Sequence, residues 1–274
     1  MSSADASLLT PRSARVKAAR KLLRRELRAE QRLFLAEGPQ AVREALSVSG
    51  CVREVLAVPS AGTTHAELIG AARTARVPWH LLDDAALSSL TQTVQPQGLV
   101  AVCGFVDSSV EEVVAGGPLL VVCADVRDPG NAGTVIRSAD AAGASGVLLT
   151  GSSVDPYNGK TVRATAGSLF HLPLALDADT ERVLGLLRAR GIQVLAADGT
   201  GEVDLDDAVD DGSLSRPTAW LFGNEAWGLP TGLSALADHR VRIPIHGRAE
   251  SINLAAAAAV CLYASARAQR RPTR

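Results

Sequence analysis

Aromatic residues are scarce in this chain. Phe, Trp and Tyr together make 3% of 274 residues, beside a single Met. The core must be packed largely from Ala, Val and Leu, which supply much of the 47% hydrophobic content and favour tight, helix-rich layers. Cysteine is sparse too. Cys51, Cys103, Cys123 and Cys261 are scattered, mostly in apolar runs, with no CxxC pair or Cys/His cluster; this offers no metal site and suits a reducing cytoplasm. The five histidines, at 65, 80, 171, 239 and 246, have no ligand spacing, so no metal is expected. The chain has no apolar signal region, and its longest apolar run, Leu254 to Ala264, is too short to span a bilayer. A cytoplasmic protein without membrane contact is expected. Neither GxGxxG nor GxxxxGK[ST] occurs, which argues against a nicotinamide dehydrogenase and a P-loop NTPase.

Charge is balanced overall, at −1, but not along the chain. Nine Lys or Arg stand against two Glu between Arg12 and Arg32, a local excess of +7 that leaves −8 for the remainder. A basic arm on an acidic body suits a polyanionic partner. Residues 1–11 are small and polar and are expected to form a disordered tail. From Ser13 to about Leu33 the pattern predicts one basic helix, with Arg20, Arg24 and Arg28 at i,i+4 spacing on a face that would contact phosphates by charge.

Short strands and helices then alternate. Strands are predicted near 34–38, 52–58, 77–81 and 98–103, which makes 12–105 a small α/β domain. Residues 106–117, acidic and ending in Gly-Gly-Pro, read as a linker. A second α/β domain, 118–274, opens with the unbroken apolar run Leu119–Ala124, as expected of a parallel strand covered on both faces. A loop Asp125–Gly133, a helix from Thr134 and a strand 146–150 follow; further on, a helix near 159–166 carries Lys160 and Arg163. The last strand is expected to end at Val241–Ile245, and the final Ala-rich helix to run from Ser251 to about Gln269.

Two late runs change abruptly from apolar residues to Gly, Asn, Glu, Pro and Ser. They are Phe222-Gly223-Asn224-Glu225-Ala226-Trp227-Gly228-Leu229 and Ile243-Pro244-Ile245 with Ser251-Ile252-Asn253-Leu254. Open α/β sheets place ligands beyond the carboxyl ends of their strands, where such residues let backbone approach closely. With Asp128-Pro129-Gly130-Asn131-Ala132-Gly133-Thr134-Val135-Ile136-Arg137, and in this order, the runs resemble the SpoU branch of the SPOUT methyltransferases. More loosely, Phe34–Gly38 and Gln95–Gly98 are similar to the family's N-terminal RNA-binding domain of ribosomal-protein-like fold.

The resemblance implies a parallel-sheet domain with a deep trefoil knot, a homodimer, and S-adenosylmethionine as cofactor. It places cofactor contacts at Gly223, Ile243 and Ile252, where Ile252 stands in place of the usual Leu. It places catalysis at Asn131, Arg137, Glu225, Ser251 and Asn253. A guanidinium keeps its protons in proteins, so Arg137 is expected to bind phosphate and stabilise the developing alkoxide rather than act as a base. Asn131 and Glu225 would orient it or the ribose, while Ser251 and Asn253 would fix the loop or cap a helix. RNA contacts are expected at Arg20, Arg24, Arg28, Lys160 and Arg163. The implied reaction is 2′-O-methylation of structured RNA, with ribosomal 23S RNA favoured by the two-domain layout. Transfer RNA, or a non-catalytic RNA-binding role in ribosome assembly, are the alternatives.

Overall fold

The computed structural model describes residues 8–270. The chain begins with α1 (Ala14–Lys21), α2 (Arg25–Gln31), β1 (Leu33–Glu37), α3 (Pro39–Ser47), β2 (Val52–Ala57), α4 (Pro59–Thr64), α5 (Ala66–Thr74), β3 (Trp79–Leu81), α6 (Asp84–Leu90) and β4 (Leu99–Gly104). It continues with α7 (Val110–Ala115), β5 (Leu119–Ala124), α8 (Pro129–Ala142), β6 (Gly146–Thr150), α9 (Gly159–Thr165), β7 (Leu174–Asp177), α10 (Thr180–Ala189) and β8 (Gln193–Ala197). It ends with β9 (Val203–Asp204), α11 (Leu205–Asp210), β10 (Thr218–Phe222), α12 (Thr231–Ser234), β11 (His239–Arg242) and α13 (Leu254–Arg270). Two compact units form. One runs up to Val106 and includes Asp155–Phe170; the other holds Asp107–Val154 and the chain from His171 onward.

The first unit is a four-stranded sheet in the order β1-β4-β2-β3, antiparallel except for β2 against β3. Its central strand β4, Leu-Val-Ala-Val-Cys-Gly, is buried at every position. Asp155–Phe170 joins this unit through the rings of Tyr157 and Phe170 and through two ion pairs, Asp155 with Arg28 and Arg163 with Glu37. The ring of Tyr157 stacks on Phe105 at 3.8 Å and lies 4.8 Å from Phe34, and its hydroxyl accepts the Val106 N–H at 3.0 Å. Asp155 receives Arg28.

That last contact corrects two expectations. The basic stretch is two helices, because the carbonyl of Leu22, which an unbroken helix would present four residues on, accepts from Arg28 Nη1 at 2.8 Å. Arg28 is 5% exposed and donates from Nε and Nη2 to Asp155 Oδ2 at 3.0 and 2.6 Å. It is a core cation rather than part of an RNA-facing row; Arg20 and Arg24 stay exposed. The expected tail also shortens. Residues 1–7 lie outside the described residues, while Leu9 bridges in parallel to Leu82 and donates to Leu81 at 2.9 Å.

The stretch expected as a linker carries α7, opened by a capping box between Ser109 and Glu112, and buries Val110, Val113 and Val114 in the core of the second unit. That unit is a seven-stranded sheet, order β7-β6-β5-β10-β8-β11-β9, with every pair parallel. β5, β6 and β10 are buried throughout, as both-face coverage requires. The strand order reverses between β5 and β10, and loops leaving strand ends at such a reversal diverge and open a crevice. Helices α8 and α13 pack together beside it, and a buried bond from Trp220 Nε1 to Ser265 Oγ, 2.9 Å, ties α13 to β10.

Three boundaries shift. α8 begins at Pro129, not Thr134, because Asp128 caps it through the Asn131 N–H at 2.8 Å and Pro suits the first helical turn. β11 ends at Arg242, which leaves Ile243–Ile245 as open chain. α13 begins at Leu254 rather than Ser251, since Asn253 Oδ1 accepts from the N–H groups of Ala255 and Ala256 at 2.9 and 3.3 Å.

Candidate active site

A cavity of about 670 Å³ lies in the second unit beyond the carboxyl ends of β8, β10 and β11. Ala197–Gly199 form one wall, Phe222–Glu225 with Gly228 a second, Val241–Ile245 a third, and Glu250–Leu254 with Asn131 and Ala257 close it. The two late sequence runs thus meet here, with the start of α8.

The second wall is a tight loop. Asn224 and Gly228 exchange backbone bonds of 2.9 Å each, Asn224 Oδ1 accepts the Ala226 N–H, and Asn224 Nδ2 donates to the Asp125 carbonyl at 2.8 Å. Gly223 has no alternative at its position. A Cβ there would lie 2.5 Å from the Gly228 carbonyl oxygen and 2.6 Å from the Leu229 nitrogen, so the requirement is space between two backbones.

Three polar side chains form one chain of hydrogen bonds. Glu225 accepts from the N–H groups of Arg127 and Asp128, at 3.2 and 3.0 Å, and from Asn131 Nδ2 at 3.2 Å. Asn131 Oδ1 in turn accepts from Asn253 Nδ2 at 3.0 Å. Both N–H groups bound by Glu225 lie at the N-terminal end of α8, where a carboxylate is favoured. Cys123, at the end of β5, has its thiol pushed up to about 12 by burial and by the Glu225 carboxylate, so it is no nucleophile at neutral pH.

The expected cofactor residues Gly223, Ile243 and Ile252 all line the cavity, and so do Asn131, Glu225, Ser251 and Asn253. Arg137 does not. It follows Asn131 by six residues, roughly 240° around a helix, and it is exposed on α8 near Thr134. Among the described residues its guanidinium has no ion-pair or hydrogen-bond partner. In the first unit Arg163 donates to Glu37 at 2.9 Å, which engages part of its charge internally, and Lys160 is exposed at the start of α9. Sequence reasoning missed Asp198-Gly199, and it gave no role to Glu250, which directly precedes Ser251 in the second late run. The former follows the apolar run of β8, so the rule that ligands sit beyond strand ends could have found it. Among the described residues no group of His, Cys, Asp and Glu could hold a metal, and no helix is long and apolar enough to cross a membrane.

An all-parallel sheet with a crevice at its switch point, bordered by this hydrogen-bonded set, defines an α/β ligand-binding domain. The chain belongs to the SpoU rRNA methylase family, whose model matches residues 118–263; an MRM3-like substrate-binding domain matches 13–101. It is 33% identical over 254 residues to the 23S rRNA (guanosine(2553)-2′-O)-methyltransferase RlmP of Bacillus subtilis, covering 91% of this chain and 94% of that one. The 23S rRNA (uridine(2479)-2′-O)-methyltransferase of Streptomyces viridochromogenes is 39% identical over 144 residues, 51% of this chain and 49% of the relative. Among solved structures, the AdoMet-bound rRNA methyltransferase of Sinorhizobium meliloti superposes with a TM-score of 0.82 at 34% identity, covering 95% of this chain and 97% of that one. AviRb of Streptomyces viridochromogenes, in complex with AdoMet, gives 0.81 at 31% identity over 93% and 98%.

Proposed function

We propose that the protein transfers a methyl group from S-adenosylmethionine to a ribose 2′-hydroxyl of 23S ribosomal RNA. The observation that carries this reading is the cavity in which Asn253, Asn131 and Glu225 form one hydrogen-bonded chain, in a member of the SpoU family whose relatives act on that RNA.

The residues present fit the cofactor. Gly223 and the open chain 243–245 offer unshielded backbone, Ile243 and Ile252 an apolar wall for an adenine, and Asp198, Glu225 and Glu250 carboxylates suited to the α-ammonium group or the sulfonium. When bound, the cofactor supplies an electrophilic methyl on a sulfonium. The chain's own part is positioning and charge. Glu225 holds the start of α8 and, through Asn131 and Asn253, the loop before α13. Ser251, exposed at the cavity, is available to the ribose. Arg137 binds the target phosphate and stabilises the oxygen as it loses its proton.

The finer reading has three parts. The segment from Gly223 to Asn253 forms a trefoil knot, a reading that rests on membership of the SpoU family. The chain works as a homodimer, supported by the exposed apolar stripe of Val260 and Tyr263 on α13, close to the face of α8 that carries Arg137; Tyr263 reaches the Ala141 carbonyl at 3.4 Å. The first unit holds RNA through Arg20, Arg24, Lys160 and part of Arg163, not Arg28. Methyl transfer from labelled S-adenosylmethionine to unmodified 23S, 16S and transfer RNA tests the reaction, with sites mapped by resistance of the 2′-O-methylated linkage to alkali. A single site in 23S RNA is expected. No transfer to any RNA, with no cofactor binding by calorimetry, would overturn the reading in favour of a non-catalytic RNA-binding protein.

A further inference from the structure

Trp227 is 54% exposed, the largest apolar side chain left open among the described residues of an aromatic-poor chain. Its surroundings are ordered for display rather than burial. The paired backbones of Asn224 and Gly228 close a tight turn whose tip is Glu225-Ala226-Trp227, and Gly228, at φ +68°, takes the left-handed conformation that the closure needs. Glu225 turns toward α8 and Trp227 does not line the cavity. The guanidinium of Arg127 sits 5.0 Å over the indole ring. Arg127 is tied to the same network, because its backbone N–H donates to the Glu225 carboxylate. One residue pair therefore connects the hydrogen-bonded set of the site to an exposed, cation-backed aromatic face.

Such a pair has a specific chemical fit. Stacking on an indole rewards any planar π-system, a guanidinium adds cation–π attraction and a charge for a neighbouring phosphate, and an unpaired nucleobase with its phosphate offers both. A lone ring of this size is too small for a stable protein interface. We propose that Trp227, held by Arg127, is a stacking site for an unpaired base of the substrate RNA beside the methylated ribose. This rests on the RNA methyltransferase reading above and adds to it the residue that grips the splayed nucleotide, since proteins usually read RNA where bases are unstacked.

The test compares the full-length wild type with Trp227→Ala, Trp227→Phe and Arg127→Ala. RNA KM and kcat are measured on an unmodified 23S transcript, cofactor affinity by calorimetry, and association state by sedimentation. Trp227→Ala should raise the RNA KM roughly 5- to 150-fold, the range for loss of one stacked base, with cofactor affinity unchanged. Trp227→Phe should recover most of the loss, and Arg127→Ala should fall between. A single-stranded RNA oligonucleotide should quench tryptophan fluorescence in the wild type but not in Trp227→Phe, and its duplex should quench weakly. An RNA KM within twofold of wild type in Trp227→Ala overturns the proposal. So does lost cofactor affinity, which would make the ring part of the cofactor site, or a changed sedimentation coefficient, which would mean that a second copy covers it. Quenching by single-stranded RNA in a wild type that transfers no methyl group would uphold the stacking site and sink the reaction. Methyl transfer that ignores Trp227 would do the reverse.

Discussion

Gly223 shows how little room the site leaves at single positions. A methyl group there would meet the backbone of Gly228 and Leu229 at 2.5 to 2.6 Å, and neither can swing aside as a flexible side chain could. Gly223→Ala should therefore part the two walls of the loop and weaken cofactor binding at least tenfold by calorimetry, about 1.4 kcal/mol, while the far-ultraviolet circular dichroism stays that of the wild type. Arg28 makes the opposite point. Its charge is buried and answered by Asp155, with side chains 6% and 13% exposed, so Arg28→Ala strands a carboxylate in the interior. The urea midpoint should drop by the equivalent of about 3–5 kcal/mol. Arg24→Ala, on an exposed side chain, should move stability by less than about 0.5 kcal/mol and instead lower RNA affinity. Equal destabilisation by the two would show that the ion pair is not buried in solution.

At the scale of elements, Asn253 has two tasks that one substitution can separate. Its Oδ1 caps α13, and its Nδ2 donates to Asn131. Asn253→Asp keeps the cap and suits the helix N-terminus, so stability should hold, yet it loses the donor and sets a carboxylate against Asn131 Oδ1; turnover should fall at least tenfold. Asn253→Ala should lose activity and about 1 kcal/mol of stability together. Full activity in the Asp variant would remove Asn131–Asn253 from the mechanism. The central strands of this sheet were legible in the sequence because β5, β6 and β10 are buried on both faces and appear as unbroken apolar runs. The cavity walls were legible as the two runs of small and polar residues that follow strands. What the sequence hid was long-range. The break between α1 and α2 depends on Arg28 reaching Leu22 and Asp155, a partner 127 positions away, and the periodic pattern of Arg20, Arg24 and Arg28 carries no trace of it. The early start of α8 was hidden differently: Pro-Gly-Asn reads as a loop until Asp128 is recognised as its cap.

At the scale of the whole molecule, the position of Arg137 is the open step between fold and reaction. It is exposed on α8 and outside the cavity of its own chain, yet the proposed chemistry needs a cation at the transferred hydroxyl. The proposed homodimer resolves this if Val260 and Tyr263 of two chains meet and bring each Arg137 to the other chain's site. A two-fold contact presents the same patch on both partners, so both sites would be completed alike. Complementation tests it. Arg137→Ala should be inactive with normal cofactor binding, and Gly223→Ala inactive at cofactor concentrations well below its weakened Kd. In a mixed dimer, the Arg137→Ala chain keeps an intact cavity and receives the native arginine from its partner. Co-refolding the two variants in equal amounts should restore about a quarter of wild-type methyl transfer, because about half the dimers are mixed and each has one complete site. If Arg137 instead served its own chain, every site in the mixture would lack either the arginine or the cofactor cavity, and no activity would return. Adding Tyr263→Asp to both variants should abolish any rescue, since a charge on the shared stripe would separate the chains without touching the cavity of either.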